Sequence, residues 1–311
     1  MRALLARLLL KEDRVLQYAP VIINGDIRQR MYLDVNGQLI DVSIRQYLFC
    51  LEPVVFGIWM DENTWLFSHR TYQLYFVADG AKNIRKEAVA RVEVEMTDQI
   101  DEAGHRLMLL KYVNSAIKHV NLLKRFFIFW FFYKKPDAIP GQMLAFTAAY
   151  SYPRRVRLVS FRQGNYYNLF PMDLLGDISA DKRFAFGLRN ANVVLEKIKQ
   201  EKRIVVCEAE GSYKQLIYQM GAHHSSTPPP VDELPFRVSR SEKFGFYVPD
   251  WVCSYKEVMV TKVINLGSHS LLWGEVVNAA DVKQPCNAAL YHIHYLLHLY
   301  LKAAGRAYPI V

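Results

Sequence analysis

Short apolar runs separated by turn residues dominate the second half of the chain. Residues 155–161, RVRLVSF, and 166–170, YYNLF, read as two strands joined by a turn at Gln163, Gly164 and Asn165. In 183–188 the large side chains Phe184, Phe186 and Leu188 alternate with smaller ones, as on a strand with one crowded face. A short helix through Val193, Val194, Leu195, Ile198 and Lys199 follows, with Asn190 or Asn192 able to cap it. Residues 203–207 form a further strand, and 212–220 a short helix that Gly221 should stop. The loop HHSSTPPP at 223–230 then leads to a hairpin, 256–265 and 270–278, turning at Leu266, Gly267, Ser268 and His269. Hairpin after hairpin of short strands predicts a barrel, the arrangement that leaves no exposed edge.

The first half is less regular. Residues 47–60 and 64–77 are aromatic and β-branched and predict strands. Residues 81–93 and 105–124 predict helices; in the second, Leu109, Val113, Ile117 and Val120 recur at spacings of three or four. The opening MRALLARLLLKEDR reads as a helix, because Lys11 to Arg14 cut the apolar run too early for a secretion signal. Phe126 to Tyr133, FFIFWFFY, lies between Lys124–Arg125 and Lys134–Lys135. It is too short to span a bilayer as a helix. A buried strand, a contact between subunits or a membrane-surface segment would each account for it. Pro136 and Pro140 favour turn or extended chain, so a boundary falls at about 135–150.

Composition narrows the function classes. Hydrophobic residues make 51% and charged residues 22%, a globular balance. The formal charge of +9 suits anionic partners, yet the basic residues are scattered, which disfavours nucleic acid. Four separated cysteines with no CxxC pair predict reduced, buried thiols in a cytoplasmic protein rather than disulfides or zinc. His294 and His298 are spaced as ligands on one helix face, but no acidic third ligand is near, so no metal is expected. No phosphate-binding glycine loop and no GxSxG elbow occur.

Three blocks in order, YPRRVRLVSFRQGNYYNLFPMDLLGDIS (152–179), RFAFGLRNANVVLEKIKQEKRIVVCEAE (183–210) and YKEVMVTKVINLGSHSLLWGEVVNAAD (255–281), resemble the flavin reductase-like family. The GRAY segment at 305–308 is similar to that family's closing Gly-Arg-Tyr. The resemblance implies a mostly β, α+β protein: an FMN-binding split β-barrel over 146–311, with an unassigned α+β region at 1–145. It also implies FMN, or FAD, as cofactor, NAD(P)H as a transient electron donor, a homodimer with flavin near the interface, and a separate oxygenase as consumer of reduced flavin.

A flavin's phosphate needs N–H groups or guanidinium, which a strand-to-helix turn supplies. Arg189, Asn190, Asn192 and Val193 occupy such a turn. Capping alone would equally explain the asparagines. By resemblance, Asn168 matches the family asparagine, and Pro171, Met172, Asp173 and Leu174 would lie along the ring. The chain departs from the family here, with Leu169-Phe170-Pro171 where a hydroxyl is usual. His269, in the Gly-x-His turn, would lie near the flavin and nicotinamide, and is the one candidate catalytic residue. Hydride transfer needs alignment more than a protein acid or base. A ligand-binding protein of the same fold without turnover is the alternative.

Overall fold

The computed structural model describes residues 16–61, 71–102, 105–118, 122–132, 140–178, 182–224, 226–283 and 285–311. The expected helix at the N-terminus lies outside them. The chain forms two compact units that do not follow a single cut at 145/146. The first holds residues 1–46, 56–154 and 291–311; the second holds 47–55 and 155–290.

Along the chain, β1 (Tyr18–Asn24), β2 (Gln29–Val35) and β3 (Gln38–Asp41) precede β4 (Gln46–Leu51), β5 (Val54–Asp61) and β6 (Thr71–Ala78). A single turn of helix, α1 (Ile84–Glu87), and two long strands, β7 (Ala90–Glu102) and β8 (His105–Ile117), follow. Strands β2 to β8 build a seven-stranded sheet in the order β3-β2-β6-β7-β8-β5-β4. Of 81–93, Ile84–Glu87 is helical as expected but 90–93 already belong to β7, and 105–124, where described, is mostly strand, not helix. A spacing of four places residues on one face of a strand as well as of a helix, and twelve-residue pairing with β7 decides for strand. Beyond β8 come α2 (Leu122–Phe132) and α3 (Pro140–Ala149). The aromatic run is therefore helical, not a strand. Pro140 opens α3, where a missing N–H costs nothing.

The second unit is antiparallel. After β9 (Arg154–Arg155) come β10 (Arg157–Gln163), β11 (Tyr166–Met172), β12 (Leu175–Asp177) and β13 (Arg183–Arg189). Then follow α4 (Leu195–Glu201), β14 (Arg203–Glu208), α5 (Lys214–Gln219), β15 (Val238–Arg240), β16 (Tyr247–Pro249), β17 (Ser254–Asn265) and β18 (His269–Asp281). The sheet order β11-β10-β14-β17-β18-β13-β12 leaves β11 and β12 as its two ends, a curled half-barrel of the split-barrel type. Gly221 does not end α5 cleanly: a 3-10 turn, Met220–His224, runs through it.

β19 (Ala288–His294) and α6 (Tyr295–Ala303) close the chain. GRAY belongs to the first unit, where the Tyr308 hydroxyl donates to Gln29 Oε1 at 2.7 Å. His294 sits at a strand end and caps α6 through the N–H of Leu296, so it does not share a helix face with His298. No group of metal-ligating side chains occurs among the described residues.

Two cysteines are not free thiols. Cys253 and Cys286 are disulfide-bonded, whereas Cys50 and Cys207 are buried and reduced. The pair lies across the base of the β17–β18 hairpin, at a Cα–Cα distance of 5.7 Å. Sequence spacing could not show this proximity.

Candidate functional site at the β13–β18 end

β13 and β18 pair antiparallel, with Arg189 opposite His269. Both strands are rich in buried apolar side chains, so the middle of the pair lies within the unit's core and its two ends, Arg189–His269 and Arg183–Glu275, carry the polar groups. The turn that starts β18 is tightly held. Gly267 has φ +119°, and a Cβ there would stand 2.7 Å from the Glu52 carbonyl oxygen and from Pro53 Cδ. The Ser268 N–H donates to Glu52 O at 2.8 Å. At Gly187, in β13, a side chain would overlap the Phe49 carbonyl. Segment 47–55 thus packs directly on the functional strands. Nothing local in the sequence marks that contact, which joins residues more than a hundred positions apart.

Asn190 clamps the same turn. Its Nδ2 donates to Gly267 O at 2.6 Å, its Oδ1 accepts from Ser270 Oγ at 2.8 Å, and its N–H donates to Ser268 O at 2.9 Å. Asn192 Oδ1 accepts the Val194 N–H at 2.9 Å, a bond within the turn before α4, whose N-cap, Val194, has no side-chain cap. Both amide oxygens are thus engaged inside the protein. By contrast, the exposed Arg189 meets no carboxylate, and the N–H groups of Ala191 and exposed Val193 meet no acceptor, among the described residues. Unused N–H groups beside a guanidinium form a corner that could receive an anion.

His269 is 3% exposed. Its Nδ1 lies 2.8 Å from Ser268 Oγ and 3.6 Å from Cys50 Sγ. Burial, helped by the charge of Arg189 and opposed by that of Asp173, pushes its pKa down to about 4. The imidazole is therefore neutral at physiological pH, able to offer or accept a hydrogen bond without carrying charge. Asp173 also raises the Tyr218 phenol, after burial, so Asp173 stands in the field of both groups.

Asp173, Arg189, Asn190 and His269 are thus brought together, with Asn192 and Val193 following directly. Leu174 is buried, and its carbonyl accepts the Gly187 N–H at 2.7 Å rather than facing outward. Pro171 and Met172 end β11, with Pro171 within van der Waals reach of Gly221. Asn168 points elsewhere: fully buried, it donates to His223 O at 2.7 Å and to the Tyr166 hydroxyl at 3.0 Å. Its Oδ1 is buried without a partner. Cys50 and Ser268 join the site from outside the sequence-derived set.

A second polar region lies at the other end of the sheet. An open cavity of about 320 Å3 is lined by Arg155, Arg157, Asp177, Glu208 and Lys256 beside the disulfide. Arg157 bridges Asp177, at 2.9 Å, and Glu208, while Lys256 also pairs with Asp177, so these charges neutralise one another.

No protein-family model matches the chain, and no curated protein is similar to it. Among solved structures it is similar to an FMN-binding protein from Thermus thermophilus with bound 1-cyclohex-2-enone, at 20% identity and a TM-score of 0.39, over 48% of this chain and 79% of that one. It is also similar to the NADH:FAD oxidoreductase SgcE6 of Streptomyces globisporus, at 15% identity and a TM-score of 0.40, over 47% and 89%. A third is nitrilotriacetate monooxygenase component B from Mycobacterium thermoresistibile, at 14% identity and a TM-score of 0.42, over 47% and 79%. Such structure neighbours are flavin reductases and FMN-binding proteins of low identity, aligned over about half of the chain.

Proposed function

We propose that the second unit binds FMN, or FAD, at the β13–β18 end and that NAD(P)H reduces the flavin there. The observation that supports this reading is the corner formed by Arg189 and the unused N–H groups of Ala191 and Val193, directly beside the buried, neutral His269. Arg189 and the two N–H groups would hold the flavin phosphate. His269, fixed by Ser268, would hydrogen-bond the ring edge or the nicotinamide. Bound flavin supplies hydride acceptance at N5; the protein's part is to hold the two rings in register and keep water out. On this reading the working form is a homodimer that passes reduced flavin to a separate oxygenase.

The test is an absorption spectrum of the protein incubated with FMN and desalted, followed by anaerobic addition of NADH or NADPH. Bleaching of a protein-bound flavin band supports the proposal, and a colourless protein with no FMN affinity overturns it. A second reading, flavin binding without turnover, is favoured by the side chains of Asn168 and Asn190, whose Nδ2 groups donate inside the protein. A yellow protein that ignores both nucleotides would decide for that reading.

A further inference from the structure

Helix α2 has two apolar faces, and only one is covered. Phe127 and Ile128, 6% and 0% exposed, belong to the core that also holds Val21 of β1 and Leu296 and Leu299 of α6. That contact fixes the helix to its unit. Leu122, Leu123, Phe126 and Trp130 are 70%, 61%, 70% and 39% exposed. At 3.6 residues per turn these four fall within an arc of about 100°. Isolated exposed hydrophobic residues are ordinary, but four large ones on one stripe mark an interaction surface.

The local charge says what kind. From Ala103 to Pro136 the sequence has no Asp or Glu; Arg106 and Lys111 pair with Asp101 and Glu95 on the β7–β8 ladder, and Lys118, Lys124, Arg125, Lys134 and Lys135 lie nearest α2 in sequence. Lys124 and Arg125 lie on α2 itself, half-buried, where long aliphatic stems can lie along apolar surface and leave the charge outward. A basic helix with Trp, Phe and Leu on its outer stripe suits the headgroup boundary of a bilayer carrying anionic lipid. Among the described residues no helix is long and apolar enough to cross a membrane. The 11 residues of α2 could only lie flat.

We propose that α2 docks this protein onto anionic phospholipid membranes, inserting Leu122, Leu123, Phe126 and Trp130 at the headgroup level. The proposal is independent of flavin binding, which concerns the other unit. It is tested by flotation of the full chain with vesicles of phosphatidylcholine alone and of phosphatidylcholine mixed with phosphatidylserine. The protein should float with the mixed vesicles and much less with the neutral ones, and raising the salt should weaken it. Phe126→Ser with Leu122→Ser should lower partitioning by about tenfold or more, since two large apolar side chains no longer leave water on binding. Lys124→Gln with Arg125→Gln should weaken binding to the mixed vesicles alone. Brominated lipid should quench the intact protein more than the Trp130→Phe variant. The altered apolar side chains are exposed, so circular dichroism should report an unchanged fold. Failure of the folded intact protein to float overturns the proposal. So does self-association through α2, seen as a dimer by light scattering that Phe126→Ser dissolves, with no lipid binding.

Discussion

The Nδ1 atom of His269 lies 2.8 Å from Ser268 Oγ, inside a turn whose preceding glycine leaves no room for a methyl group. The imidazole is therefore placed by backbone packing as much as by its own hydrogen bond. Its pKa, depressed to about 4, has a direct consequence for stability. An unfolded histidine binds a proton near pH 6.5 and the folded one does not until about pH 4, so between those values the unfolded chain holds more protons. The stability that neutral His269 permits is complete above about pH 6.5 and is lost as pH falls toward 4. Urea melts across this window should show a loss of up to about 3 kcal/mol that His269→Gln reduces. An unchanged profile in the variant would assign the acid sensitivity to other groups.

Gly267→Ala tests the turn. The residue has φ +119°, outside the region that alanine readily adopts, and its Cβ would press on Glu52 and Pro53. We expect a loss of about 2–4 kcal/mol in thermal or urea melts. Gly164→Ala, at φ +57° with open space around it, should cost only about 1 kcal/mol. Equal losses would show that backbone conformation, not the 47–55 contact, sets the cost.

How much of this site was legible in the sequence depended on the range of the contacts. The β13 and β17–β18 strands were readable because alternation, hairpin spacing and Gly267 are local signals. The β8 strand was misread because Leu109, Val113 and Ile117, four apart, fit a strand face as well as a helix face; only pairing with β7 separates the two. The Phe126 to Tyr133 run lacks polar positions, so it carries no period to read. Cys50, Phe49 and Glu52 reach the site through contacts more than a hundred residues apart in the chain, and Cys253 reaches Cys286 across a separation of 33; no composition or spacing rule reports those.

The disulfide should carry measurable stability. It closes a loop with a sequence separation of 33 residues, and chain entropy alone predicts about 3–4 kcal/mol for a loop of that size. Cys253→Ser, or melting of the protein in strong reductant, should lower the unfolding free energy by about that amount. Mass spectrometry under non-reducing conditions should find the bridged peptide pair. Finding both thiols alkylated in the native protein would remove the bridge from consideration.

Arg189 separates phosphate recognition from general packing. The side chain is exposed and has no ion-pair partner among the described residues, so Arg189→Ala should leave the melting temperature nearly unchanged. On the flavin reading it should weaken FMN binding by about 1.5–3 kcal/mol, the worth of a charged hydrogen bond. Riboflavin, which lacks the phosphate, should bind the native protein and the variant alike, and fluorescence-quenching titrations with the two ligands give both numbers. The same substitution removes the positive charge that helps depress His269, so the histidine pKa should rise. A proton NMR titration of the imidazole checks this without any ligand. If FMN affinity and riboflavin affinity fall together, Arg189 supports the fold of the turn. If neither changes while the His269 pKa rises, the guanidinium lies beside the histidine but takes no part in holding phosphate.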